Sequence, residues 1–168
     1  WINQHTIIPE YFRQTFYKTG SLIPNLALNY GAGENIYNFS YYGFLSPLIL
    51  PSYLLPFISM TTYMTIIDIL VVITSAILFY HFLKKHDFDS HISLTVSLLL
   101  VLSAPFIFQM HRHIMFVNYM PFLILSLFGV DKLLKENKKS LLIISIFLMI
   151  MTSYYYSVGG ILVIGIYY

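Results

Sequence analysis

Long apolar runs separated by short polar islands set the pattern of this chain. A bilayer core about 30 Å thick takes roughly 20 apolar residues in a helix. The pattern predicts spans over 63–83, 92–109, 114–130 and 140–153, and a further one starting near 159 and running to 168. The fold class expected is therefore all-α, a polytopic transmembrane helical protein. Residues 1–62 form a first, non-spanning segment, and residues 63–168 carry the spans. Trp1 and the apolar run ending at Tyr168 read as the edges of a piece of a longer protein.

The first segment is amphipathic. In "TIIPEYFRQTFYKTG" the residues Ile8, Tyr11, Phe12, Thr15 and Phe16 recur at helical spacing, and Glu10, Arg13, Gln14 and Lys18 take the other side. Pro9 suits a first helical turn, and Gly20 is a natural stop. Such a helix is expected to lie on a membrane with its aromatic side down. "LSPLILPSYLLPF" carries Pro47, Pro51 and Pro56, too many for an uninterrupted span, and reads as one or two short interfacial helices.

Composition agrees with a lipid environment. Charged residues make up 10% of the chain, against about 25% in soluble domains. The mean hydropathy is +0.74. There is no Cys, which excludes disulfides, thiol nucleophiles and zinc-knuckle spacings. Nothing points to nucleic acid. Of nine basic residues, Lys84, Lys85, Lys132, Lys135, Lys138 and Lys139 fall in two short loops. Such loops stay cytoplasmic. That orientation puts residues 1–62, the "MHRH" turn and "SYYYSVGG" on the outer face of the cytoplasmic membrane.

Those outer stretches hold the candidate chemistry. In "NYGAGENIYNFSYYGFLSP", Gly31 and Gly33 permit close approach of backbone to a ligand, and their amides can form an anion-binding nest. Glu34 can act there as a base or metal ligand, with Tyr41 and Tyr42 as a sugar or lipid platform; an ordinary interfacial turn anchored by tyrosines explains the same residues. Arg112 suits a phosphate, with His111 and His113 as donors, bases or metal ligands. Lipid headgroup contact is the plainer account. Asp68 lies inside the first span, where an acid is costly. It either pairs with Arg112, faces water, or reaches the interface. Tyr154 and Tyr155 fit an aromatic belt or a sugar-stacking surface. Glu10 and Arg13 stand three apart and can pair with each other.

Four ordered stretches carry a family resemblance: "NQHTIIPEYF", "NYGAGENIYNFSYYGFLSPL", "HRHIMFVNYMPFLILSLFGVDKLL" and "TSYYYSVGGILVIGIYY". Together they resemble the bacterial YfhO family of polytopic membrane proteins, which is similar to the C-class glycosyltransferases. The resemblance implies sugar transfer from a polyprenyl-phosphate donor to an extracytoplasmic surface polymer such as teichoic acid. It implies a principal acid immediately before Trp1, with Glu10 and Glu34 as the acids left within the first segment. Gln4, Gly31, Gly33, Tyr41, Tyr42, His111, Arg112, His113, Tyr154 and Tyr155 become its substrate-binding candidates. A divalent metal is an open cofactor. A transporter or flippase of lipid-linked sugars and a non-catalytic scaffold are the alternatives.

Overall fold

The structure is a computed structural model. It describes residues 5–22, 26–27, 34–35, 45–112 and 115–168, with Leu26, Ala27, Glu34, Arg112, Met115 and Phe116 described by backbone alone. The described residues form eight α-helices, a 3-10 helix and one two-residue strand pair.

Helix α1 is Ile7–Thr19 and stops where Gly20 turns left-handed at φ 70°, its N–H on the Phe16 carbonyl. Strands β1 (Leu26–Ala27) and β2 (Glu34–Asn35) pair antiparallel, Leu26 opposite Asn35 and Ala27 opposite Glu34. The 3-10 helix is Leu50–Leu54. The apolar face of α1 does not point outward. Ile8 and Phe12 pack with Ile49, Tyr53, Met60, Tyr63 and Met64 in one cluster. The proline-rich segment thus supplies the apolar partner that was expected to be the membrane.

Helix α2, Met60–Lys85, is the long element. Ser59 caps it, accepting from the Thr62 amide, and Lys84 and Lys85 sit in its last turn, where cations suit the helix dipole. Asp89 caps α3 (Ser90–Val101) by accepting from the His91 amide at 2.8 Å. Helix α4 is Ala104–Arg112, α5 Met115–Asn118 and α6 Met120–Glu136. The expected second and third spans are therefore each divided. Pro105 and Pro121 explain both breaks: each lacks the N–H that would bond the carbonyl four residues earlier, at Val101 and Val117.

Helix α7 is Ser140–Thr152 and α8 Tyr154–Tyr167, separated only by extended Ser153. The last helix thus starts five residues before the position the sequence pattern suggests. Small residues bring α6, α7 and α8 together. A Cβ on Gly129 would lie 2.6 Å from the Leu142 Cα, and one on Gly160 2.7 Å from the Met149 sulfur. Ser126 donates across to Ser145 at 3.0 Å. Such contacts are how helices associate in lipid, where apolar burial alone gives no preference.

Candidate functional site

At the start of α2 a cavity of about 440 Å³ opens between α1 and the α2 N-terminus. Thr6, Glu10, Arg13, Gln14, Ser59 and Thr61 give it its polar lining. Arg13 is 3% exposed, although the pattern assigns it to the polar side of α1. Its Nη1 donates to the carbonyls of Ser52 (3.4 Å), Leu55 (3.3 Å) and Ile58 (3.0 Å). Its Nη2 donates to Glu10 at 2.5 Å, so the expected pair forms, with Arg13 beneath and the carboxylate partly open. Gln14 donates to the other Glu10 oxygen at 3.0 Å. The carboxylate is thereby fixed at the cavity, with lone pairs left over for a hydroxyl. Near Arg13, burial pushes the Tyr53 phenol up to about 12, the Arg13 charge opposing and Tyr17 adding to the rise. Tyr17 in turn donates to the Tyr53 carbonyl at 2.6 Å.

The other sequence candidates are placed unevenly. Glu34 lies on β2, opposite Ala27, described by its backbone only. His111 is exposed near the end of α4, and Arg112 ends that helix, with its side chain outside the description. Tyr154 and Tyr155 are exposed at the start of α8. Gln4, Gly31, Gly33, Tyr41, Tyr42 and His113 lie outside the described residues. Asp68 is buried, and its Oδ1 has no hydrogen-bond partner; Arg112, one partner its position in the span suggests, is described by its backbone alone. The described residues gather no group of three His, Cys, Asp or Glu side chains for a metal ion.

A second polar cluster, absent from the sequence reading, sits at the far end of α2. Asp131 on α6 meets Lys85 Nζ at 3.0 Å and His86 Nε2 at 3.1 Å, both through Oδ2. Tyr167, at the end of α8, donates to Asp131 Oδ1 at 2.9 Å and stands 3.0 Å from His86 Nε2. Phe82 packs edge-on against Phe128 and Tyr167 beneath. Burial raises the Asp131 carboxyl, but hydrogen bonds from Lys85 and Tyr167 and the charges of Lys85 and His86 outweigh it and hold it below its ordinary value. The two Lys-rich loops and the end of α8 therefore meet at one end of the bundle. The cavity with Glu10 lies at the other, about 38 Å away at about 1.5 Å per helical residue.

The exterior between these ends is apolar. Ile69, Ile73 and Ile77 of α2, Leu98 and Leu99 of α3, and Ile144 and Phe147 of α7 are exposed, while Ser75, Ser93, Ser97, Ser126 and Ser145 are buried. That is the reverse of a water-soluble domain. Two stretches, Met60–Lys85 and Ser90–His111, are long and apolar enough to cross a membrane, and only 22% of each apolar window is buried. A soluble core helix would be mostly covered. The family described as "Bacterial membrane protein YfhO" matches residues 1–168. The chain belongs to the YfhO family. No curated protein and no solved structure matches it. For this YfhO chain the match supports a membrane location.

Proposed function

We propose that this YfhO chain takes part in sugar transfer from a polyprenyl-phosphate donor to an acceptor outside the cytoplasmic membrane. The observation that carries this reading is the Glu10 carboxylate, held by Arg13 and Gln14 at an open cavity where α2 begins. The cavity lies at the end opposite the Lys-rich loops, hence the outer end by the positive-inside rule. A multi-pass arrangement with residues 1–62 outside follows from the same orientation.

In this mechanism the acceptor hydroxyl attacks the anomeric carbon as the bond to the lipid phosphate breaks. Glu10 takes the hydroxyl proton. The polyprenyl phosphate leaves with its electron pair, and a single displacement inverts the anomeric centre. Arg112 and the neighbouring His111 and His113 are the proposed partners of the departing phosphate, and the exposed Tyr154 and Tyr155 a stacking surface for sugar. Glu34 and the glycine-rich loop complete the donor site. Teichoic acid is the proposed acceptor polymer.

The test uses the full-length protein in vesicles charged with a labelled polyprenyl-phosphate sugar. Release of polyprenyl phosphate and label transfer to a polymer acceptor support the reading. Label crossing the bilayer with the lipid bond intact supports a flippase instead. The breaks at Leu102–Ser103 and Tyr119, set beside a buried acid, favour that second reading, because transporters use interrupted helices at mid-membrane sites.

A further inference from the structure

Three buried oxygens near the middle of the bundle have no hydrogen-bond partner: Asp68 Oδ1, Ser75 Oγ and Asn118 Oδ1. Asp68 is 5% exposed, Asn118 4% and Ser75 0%. An unpaired polar atom in such a place is expensive, more so an acid in a span.

The helix registers place Asn118 between the other two, which stand about 10 Å apart along α2. Helices α2 and α6 run in the same direction, with Phe82 against Phe128 and Lys85 against Asp131. Carried back at the same offset, Asn118 falls level with Val72, about one turn from both Asp68 and Ser75. The packing agrees, since Val117 lies in one apolar cluster with Val72 and Ala76 of α2. On α2 itself, Asp68, Val71 and Ser75 share the buried face.

Both helix breaks join the same cluster. Val101 is the last residue of α3, Val117 lies in α5, and they are buried together with Phe106. Pro105 and Pro121 offer neither valine carbonyl an amide hydrogen four residues on. The level is also the centre of α2, which runs from Met60 to Lys85. The two helix breaks thus lie at the depth of Asn118, between the levels of Asp68 and Ser75.

Among the described side chains, the charged and titratable groups on the elements packed against this stretch lie elsewhere, and on α4 His111 is exposed near the helix end. On α1, Glu10 and Arg13 bind each other, and Tyr17 donates to Tyr53. Tyr63 donates to the Leu48 carbonyl, and on α3 the ionisable His91 sits in the first turn, near the Lys-rich loop. On α6, Asp131 is taken by Lys85, His86 and Tyr167. Tyr119, between α5 and α6, is half-buried and can only add a hydroxyl.

We propose that Asp68 and Asn118, supplemented by the carbonyls of Val101 and Val117, form a mid-bundle site for one monovalent cation, a proton or an alkali-metal ion. The positive charge satisfies oxygens that cannot satisfy one another. As a proton it resides on Asp68 and is donated to Asn118 Oδ1. As an alkali ion it is held by the carboxylate, the amide oxygen and the two carbonyls. The site stands apart from the sugar-transfer reading and does not depend on it.

The test is infrared difference spectroscopy of the full-length protein in lipid nanodiscs, with pH and sodium varied separately. The Asp68 signal is assigned by its loss in Asp68→Asn, a near-isosteric change. A protonated-carboxyl stretch that sodium does not alter, and that shifts in Asn118→Ala, identifies a proton. A carboxyl signal that changes saturably with sodium at fixed pH, with its half-saturation raised at least tenfold in Asn118→Ala, identifies an alkali ion. If no cation-dependent or protonated-carboxyl signal disappears in Asp68→Asn, while that variant keeps the wild-type size-exclusion profile, the proposal is overturned. A signal unchanged in Asn118→Ala overturns the shared site.

Discussion

Arg13 on α1 donates to the carbonyl of Ile58 at 3.0 Å, although 45 residues separate them in the chain. The same guanidinium reaches the Ser52 and Leu55 carbonyls. It therefore ties the amphipathic helix to the proline-rich turn that leads into α2, and fixes Glu10 at the cavity. Replacing Arg13 with Met is expected to lower stability by about 3 kcal/mol, since charged hydrogen bonds to buried carbonyls are lost together. Arg13→Lys should recover only part, because an ammonium lacks the planar fork. Thermal unfolding of the full-length protein in detergent checks both; equal midpoints for wild type and Arg13→Met would remove the tie from the account.

At the opposite end, Tyr167→Phe removes one hydrogen bond to Asp131 and should cost about 1 kcal/mol. Lys85→Ala should cost no more than about 1 kcal/mol, because Lys85 is one-third exposed and the pair is screened. Made together, the two changes should cost a different amount from their sum, since both act on one carboxylate. Strict additivity in a double-mutant cycle would mean that the contacts are independent.

The same carboxylate sets a pH dependence. Asp131 is held below its ordinary 3.8 in the folded protein. Its contribution is therefore complete above that value and is lost as pH falls through the lowered one. Thermal midpoints of wild type and Asp131→Asn, followed downward from neutral pH, should differ by a constant amount until about pH 4 and then converge. Curves that converge already near neutral pH would contradict the assignment.

Helix packing gives a pair of glycine predictions. Gly129→Ala puts a methyl 2.6 Å from the Leu142 backbone and should destabilise by about 1–3 kcal/mol. Gly159 has nothing within 4 Å, so Gly159→Ala should be neutral or stabilising by up to about 1 kcal/mol. Unfolding midpoints that move oppositely for the two variants would match the α6–α7 contact.

Much of this was legible in the chain. The run 63–83 with lysines at its end gave α2, and Gly20 gave the stop of α1. Other features follow from residues whose consequence lies far away in sequence. Arg13 reads as a surface residue by helical spacing, yet Pro56 offers no amide to the Ser52 carbonyl, one of the three it docks on, and that proline was the available signal. Pro105 and Pro121 marked the breaks in the second and third apolar runs, which hydropathy averages conceal. The Asp131 cluster was not readable, because its partners come from positions 85, 86 and 167, and only the bundle brings them together. Of the proposed site, Glu10 and its pairing with Arg13 were legible; the cavity beside them needed the fold.

The most direct measurement is the sugar content of surface polymers in a strain lacking the full-length gene, complemented with wild type or Glu10→Gln, with membrane levels matched. Wild type should restore the sugar, and Glu10→Gln should reduce transfer by about 100-fold or more, the usual scale for losing a general base. Full restoration by Glu10→Gln, or sugar content that never depended on the gene, would contradict the account.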